Sequence, residues 1–196
     1  MLGRAQAVLE ALGCHAVILY GSRAHGDSDA DSDWDVAGIR ETGEVMHVVD
    51  GLLDLFAYPE VHFATLSEDA LKLADGTIVH DVNGYALDLL ARLRTYEAAG
   101  PPPMSATQIN EIRNWYPKML RRIARAGPDA NYRRISLAFD ALPDYFRLRG
   151  RWYRGPKRSI AWLREHAPAD ASVFARALAP GASDAELEAL VRCVLA

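Results

Sequence analysis

Hydrophobic residues in the first half of the chain cluster in short runs with the length and composition of β-strands. Residues 16–20 form a continuous apolar run rich in β-branched side chains, and residues 34–39 form a second run, so both predict strands. The apolar segments 45–49 and 52–58 flank Asp50-Gly51, a pair that tolerates positive φ, and they therefore predict a hairpin.

Segments with helical spacing surround these strands. Residues 4–12 predict a short helix that Gly13 ends, and residues 68–74 and 85–97 predict two more. Residues 77–79 predict a short additional strand. The first half is therefore predicted to be a small mixed sheet with flanking helices.

Apolar residues in the second half recur at helical spacing throughout. Two capping boxes, Ser105 with Gln108 and Ser183 with Glu186, predict where the first and last of these helices begin. Pro156 suits the first turn of another helix. Two apolar stripes are interpreted as core positions: Ile109, Ile112, Tyr116, Met119 and Ile123 in one helix, and Ile135, Phe139, Leu142 and Phe146 in the next.

The clearest boundary is the run Gly100-Pro101-Pro102-Pro103, which cannot continue a helix and favours an extended connector. Net charge changes sign there, from −11 in residues 1–100 to +7 in residues 101–196. An acidic half suits cations and a basic half suits phosphates, although two oppositely charged solvated surfaces would show the same split. We predict domains over 1–98 and 104–196, and an α+β fold: a small mixed sheet with flanking helices, followed by a C-terminal helical bundle.

Composition narrows the class of protein further. Half of the residues are hydrophobic and 24% are charged, which is typical of a globular protein. Only two cysteines occur, Cys14 and Cys193, so a disulfide framework or a zinc site is not indicated and a cytoplasmic protein is expected. No apolar run is long enough to cross a membrane, and no membrane partner is expected.

The first candidate for chemistry is the pair Gly21-Ser22, which follows the first predicted strand in a predicted loop over 21–32. A glycine lets the backbone approach a ligand closely, and Ser22 adds a hydroxyl beside exposed N–H groups, so the turn suits a polyphosphate. The pair alone is a weak signal, and no Gly-Lys-Ser/Thr follows it, which excludes a P-loop.

Asp33 and Asp35 open the second predicted strand. Residues two apart on a strand share a face, so the two carboxylates would repel each other unless a cation or a shared proton offsets their charges. Mg²⁺ prefers such oxygen ligands. The pair could equally belong to a solvated strand edge.

Asp54 is an acid within the otherwise apolar segment 52–58. A buried carboxylate needs a cation or hydrogen bonds to offset its desolvation. If this strand lies beside the one that carries Asp33 and Asp35, three carboxylates converge and make a site for two divalent ions.

These residues together resemble a known family. The stretch Gly21-Ser22-Arg23-Ala24-His25-Gly26, followed by Ser32-Asp33-Trp34-Asp35, is similar to the motif of the DNA polymerase β-like nucleotidyltransferase superfamily, and Asp54 matches its third acid. The chain resembles in particular the minimal-type and antibiotic-modifying members with an appended helical bundle. The resemblance is specific over residues 16–58 and looser to about residue 98. His25 stands where the smaller members commonly have Arg.

The resemblance implies transfer of a nucleoside monophosphate, with AMP from ATP expected, to a hydroxyl of an acceptor. It implies that Asp33, Asp35 and Asp54 hold two Mg²⁺ ions, with Mn²⁺ as an alternative, and that Asp54 helps to take the acceptor's proton. Gly21, Ser22 and Arg23 are implied to bind the nucleotide's phosphates.

The basic second half offers further nucleotide-binding candidates. Lys157 and Arg158 follow Pro156 in a predicted first helical turn, where unpaired backbone N–H groups favour anions. The alternative is a solvated basic face. Five histidines show no ligand spacing and are interpreted as structural: His15, His47, His62, His80 and His166.

Two functions are therefore weighed. The first is an enzyme acting on a small molecule, with RNA or protein as the alternative acceptor. The second is a regulatory or antitoxin-like module that acts through a partner protein, as minimal members of the family can. The three intact carboxylates favour the enzyme. The sequence does not indicate the oligomeric state.

Overall fold

The computed structural model of the chain describes residues 1–26 and 28–196. By the contacts among its residues, the chain divides into two compact units, Met1–Ala99 and Gly100–Ala196. The predicted domains over residues 1–98 and 104–196 stay a prediction. Asp27, within the predicted loop, lies outside the described residues.

The first unit contains a five-stranded mixed sheet in the order β3-β4-β2-β1-β5. Its strands are β1 (Ala16–Tyr20), β2 (Trp34–Arg40), β3 (Met46–Asp50), β4 (Leu53–Pro59) and β5 (Thr77–Asp81). Strands β2 and β4 pair in parallel, and the other neighbours pair antiparallel. The β3–β4 hairpin closes with Asp50 opposite Leu53, and Gly51 in the turn has φ +61°, as the Asp50-Gly51 pattern predicts.

Helices cover both faces of this sheet. They are α1 (Leu2–Ala11), α2 (Gly21–His25) and α3 (Tyr85–Ala99), with 3₁₀ helices at Glu60–Phe63 and Glu68–Leu73. Helix α1 packs on one face, and α3 with the second 3₁₀ helix packs on the other. The loop prediction is therefore wrong for residues 21–25, where the short helix α2 directly follows β1.

The second unit consists of five helices around one apolar core. These are α4 (Ala106–Ile123), α5 (Pro128–Leu148), α6 (Gly155–His166), α7 (Pro168–Ala177) and α8 (Asp184–Leu195). Both predicted capping boxes form, at Ser105 and Ser183. The predicted fold class, α+β with a small mixed sheet, flanking helices and a C-terminal helical bundle, is confirmed.

One predicted core stripe is only partly buried. Leu142 and Phe146 of α5 are buried, and Phe146 packs edge-on against Trp162 of α6. Ile135 and Phe139, earlier on the same stripe, are 68% and 79% exposed. The interpretation of these two as core residues is wrong, because spacing defines a helix face but does not show how far along the helix its neighbours cover that face.

No helix among residues 1–26 and 28–196 has both the length and the apolar character that crossing a bilayer requires.

The partial burial of α5 can be tested with two truncations on the same helix. Leu137 is fully buried in the core of the second unit, so we expect Leu137→Ala to lower the free energy of unfolding by about 2–5 kcal/mol. The exposed Ile135 should tolerate the same change within about 0.5 kcal/mol. Urea unfolding measures both. Equal losses for the two variants would contradict the described packing of α5.

Candidate functional site

The sheet register places two of the predicted carboxylates side by side. Asp35 on β2 lies opposite Asp54 on the parallel strand β4. Tyr20, the last residue of β1, lies opposite Asp35 on the other side. Residues paired across neighbouring strands project from the same face, so Tyr20, Asp35 and Asp54 form a row across three strands at one end of the sheet.

Gly21 abuts this row of residues. It has φ +71°, and a methyl group added to it would clash with the Asp35 carboxylate oxygen Oδ2. The carboxylate therefore occupies the space that any other side chain at position 21 would need. The sequence pattern predicts a glycine that admits a ligand, and in the structure the group closest to it is Asp35.

Arg23 holds the segment that leads into β2. Its guanidinium donates from Nε and Nη2 to the Ser32 carbonyl oxygen, at 3.0 and 2.6 Å, and lies 4.6 Å from the ring centroid of Trp34. Asp33 lies between these two anchored residues and is exposed, one position before β2 begins. Arg23 thus positions the segment that carries Asp33, and its predicted contact with nucleotide remains a prediction.

The electrostatics of the site centre on Asp35. Burial raises the pKa of its carboxyl group, the charges of Asp54 and Asp33 raise it further, and Lys72 opposes them. In the described part of the chain, no donor lies within hydrogen-bond distance of this carboxylate. Burial, and then the charges of Tyr58, Asp35 and Asp54, also raise the pKa of Tyr20.

His47 on β3 is a site residue that the sequence reasoning assigned to a structural role. Its Nε2 lies within hydrogen-bond distance of Asp54 Oδ1. Its ring stacks on Phe56 with centroids 4.2 Å apart and planes 7° from parallel. The hairpin register could have identified this contact, because Val49 lies opposite Asp54 and His47 is two residues earlier on the same face.

Lys72 is a second residue that the sequence did not single out. It belongs to the 3₁₀ helix Glu68–Leu73, and its Nζ donates to Tyr58 Oη at 3.0 Å. The same Nζ lies 4.7 Å from the ring centroid of Phe56 and 5.4 Å from that of Tyr20. No sequence pattern pointed to it, because a short 3₁₀ helix has no periodicity that indicates which side chain faces the sheet.

The donor set can be compared with what a metal ion requires. In the described residues, no group of three or more His, Cys, Asp or Glu side chains is arranged to hold a metal ion. Mg²⁺, however, is commonly bound by one or two carboxylates together with water and phosphate oxygens of a substrate. Asp35, which has no hydrogen-bond partner among the described residues, and the adjacent Asp54 fit such an ion, with Asp33 close enough for its charge to act on Asp35.

The remaining predicted residues are distributed over both units. Ser22 is partly buried in the first turn of α2, directly after Gly21. Lys157 and Arg158 lie in the first turn of α6, in the second unit, and their predicted contact with nucleotide remains a prediction.

Comparisons with known proteins give little beyond this geometry. No protein-family model and no curated protein matches the chain. Among solved structures, the chain is similar to a nucleotidyltransferase-like protein from Exiguobacterium sibiricum 255-15, with a TM-score of 0.43 and 15% sequence identity. The match covers 96% of this chain and 70% of that chain. A likeness at this level supports no statement about chemistry.

The contact between Gly21 and Asp35 can be separated from backbone strain with two alanine variants. Gly26 has φ +76° and open space around it, so Gly26→Ala should cost only the left-handed strain, about 1–3 kcal/mol. Gly21→Ala has the same strain and must also displace the Asp35 carboxylate, so we expect it to be clearly less stable in urea unfolding. Equal stability of the two variants would show that the carboxylate does not occupy the described position.

The raised pKa of Asp35 predicts how stability depends on pH. The folded chain holds this proton more tightly than the unfolded chain. As pH rises from about 4, the ordinary aspartate value, through the raised pKa, the free energy of unfolding therefore falls. Above the raised pKa, the loss of unfolding free energy that Asp35 causes grows no further. The asparagine in Asp35→Asn has no proton to release over this pH range. We therefore expect its free energy of unfolding not to show this fall, and we expect the variant to be more stable than wild type at pH 7.

Urea unfolding at a series of pH values measures this difference. Asp88→Asn, at a largely exposed carboxylate on α3, is the control and should follow the wild-type profile. An Asp35→Asn variant less stable than wild type at pH 7 would contradict the electrostatics described for the site.

Proposed function

We propose that this chain is a metal-dependent nucleotidyltransferase. It would move a nucleoside monophosphate from a nucleoside triphosphate to an acceptor hydroxyl, and the group that we propose is AMP from ATP. The observation that supports this most is the pairing of Asp35 with Asp54 in register on parallel strands, beside Gly21 and Ser22. A half-buried carboxylate that accepts no hydrogen bond from residues 1–26 or 28–196, next to a second carboxylate, suits a hard divalent cation that brings phosphate oxygens with it.

Asp35 and Asp54, with Asp33, are the residues that would hold Mg²⁺ or Mn²⁺; two ions are expected from the family resemblance. Bound there, the metal would neutralise charge on the phosphates during the transfer. The contribution of the protein is to hold the carboxylates in a fixed arrangement, since phosphoryl-type transfers depend mainly on positioning and charge stabilisation.

The reaction proposed at this site is a single displacement. The acceptor oxygen forms a bond to the α-phosphorus of the triphosphate, the bond from that phosphorus to the bridging oxygen of the β-phosphate breaks, and pyrophosphate leaves. The proton of the acceptor hydroxyl passes to Asp54, which His47 orients through the hydrogen bond at Oδ1. Gly21 and Ser22 would bind the phosphates, and the contact of Gly21 with the Asp35 carboxylate supports this role.

The acceptor is proposed to be a small molecule. The strongly acidic character of residues 1–100, with net charge −11, would attract a cationic acceptor, although the metal-binding carboxylates account for part of that charge. RNA or protein is the alternative acceptor, and the assay below includes both.

We expect purified protein with Mg²⁺ and ATP to release pyrophosphate when the correct acceptor is present, and labelled ATP to transfer its AMP to that acceptor. The assay pairs each of the four nucleoside triphosphates with panels of small hydroxyl compounds, RNA and protein. Asp35→Asn and Asp54→Asn should each reduce the rate by about a hundredfold or more, because each removes charge stabilisation at the reacting phosphate. Asp88→Asn, at a surface ion pair on α3, should retain activity.

Binding of ATP can be measured even if the correct acceptor is missing from the panel, and it tests the proposal independently of the transfer assay. Calorimetry should show ATP binding that requires Mg²⁺ and that Asp35→Asn weakens. If wild type binds neither Mg²⁺ nor any nucleoside triphosphate, the proposed function is wrong.

A further inference from the structure

We propose that Lys72 is the phosphate-binding cation of the first unit and contacts the polyphosphate of a bound nucleoside triphosphate. This rests on the proposed function and adds a binding residue that the sequence motif does not contain. Three observations support the assignment: the position of the 3₁₀ helix, the aromatic rings around Nζ, and the N–H donors that remain on Nζ.

The fold fixes where the ammonium group of Lys72 lies. Its neighbours Leu71 and Leu73 are buried, so the helix is anchored on both sides of it. Lys72 itself is exposed, and its Nζ lies within 5.6 Å of three ring centroids, those of Tyr20, Phe56 and Tyr58. Such ring faces attract a cation and hold it without neutralising its charge.

These rings place the cation on the same face of the sheet as the carboxylates. Tyr20 lies opposite Asp35, and Phe56 is two residues after Asp54 on β4. Lys72 Nζ lies 5.4 Å from the ring centroid of Tyr20 and 4.7 Å from that of Phe56, so these two contacts place it at the end of the sheet that carries Asp35 and Asp54.

The ammonium group has unused hydrogen-bonding capacity. It carries three N–H donors, and in the described residues its one hydrogen-bond acceptor is Tyr58 Oη. No carboxylate among those residues lies within ion-pair distance of Nζ. Two donors thus remain on a cation that the aromatic rings hold in place, which suits oxygen atoms of an anionic ligand.

Space is available beside Lys72 for such a ligand. A cavity of about 260 Å³ is lined by Tyr58, His62, Phe63, Asp69 and Lys72, together with Ala70 and Leu73. Asp69 makes part of this cavity unfavourable for phosphate. The phosphate contact is therefore assigned to the part of this cavity beside Lys72, whose Nζ also lies near the rings of Tyr20 and Phe56.

The chain contains three lysines, Lys72, Lys118 and Lys157, so each can be tested separately. Magnesium complexes of ATP, ADP and AMP are titrated into wild type, Lys72→Met, Lys72→Arg and the control Lys118→Met, at an exposed position on α4. Loss of a charge-assisted hydrogen bond should weaken ATP binding by Lys72→Met about tenfold to a hundredfold. AMP binding should change little, and Lys72→Arg should restore most of the ATP affinity.

The outcomes separate this inference from the proposed function. If wild type binds ATP, Asp35→Asn does not and Lys72→Met binds normally, the role of Lys72 is overturned while the proposed function stands. An equal loss for ATP and AMP would indicate a disturbed fold and would also overturn the role. The role of Lys72 would also be overturned if Lys157→Met lost ATP affinity and Lys72→Met did not.

A second measurement uses the unmodified protein and does not depend on variants that fold. Acetic anhydride acetylates exposed lysines, and mass spectrometry of peptides measures the extent at each one. We expect magnesium ATP to protect Lys72 several-fold and to leave Lys118 unchanged. Equal acetylation of Lys72 with and without the nucleotide, in protein that binds it, would contradict the contact.

Discussion

The parallel pairing of β2 with β4 is the constraint on which the site depends. It joins the only two neighbouring strands of the described sheet that run in the same direction, and its register puts Asp35 beside Asp54. Because side chains alternate along a strand, a shift of one residue would turn one carboxylate to the opposite face of the sheet. The packing of Leu53 and Leu55 into the core beneath α1 opposes such a shift, since it would remove both leucines from that core.

The charges of the site follow from this pairing. Two carboxylates side by side, with a third one position before β2, raise the electrostatic energy of the site. The raised pKa of Asp35 reflects its burial first and this repulsion second. The polar and aromatic groups on the same face moderate it: His47 contacts Asp54, and Lys72 offsets part of the charge near Asp35. Gly21 leaves the space that the carboxylate needs. Local packing and the nearby polar groups thus offset part of the repulsion among the carboxylates.

Much of the fold could be predicted because its signals are local. The run at residues 16–20, the Asp50-Gly51 turn and the capping boxes at Ser105 and Ser183 each indicate structure within a few residues. The pairing of Asp35 with Asp54 could be stated only conditionally, because strand order depends on contacts between distant segments. Lys72 was missed because its place is set by packing of a 3₁₀ helix on the sheet. Ile135 and Phe139 were misassigned because periodicity does not show how much of a helix its neighbours cover.

The position of β3 at the edge of the sheet has a consequence for motion in the site. In the part of the chain that the structure describes, this strand hydrogen-bonds to a neighbour on one side only, and four of its five residues are exposed. Edge elements with few buried contacts open locally at a lower free energy than the central strands. Opening of β3 would carry His47 away from Asp54 while the β2–β4 ladder, and with it the spacing of the carboxylates, stayed closed. The imidazole partner of Asp54 is therefore on a strand that we expect to open more readily than the strand that carries the acid.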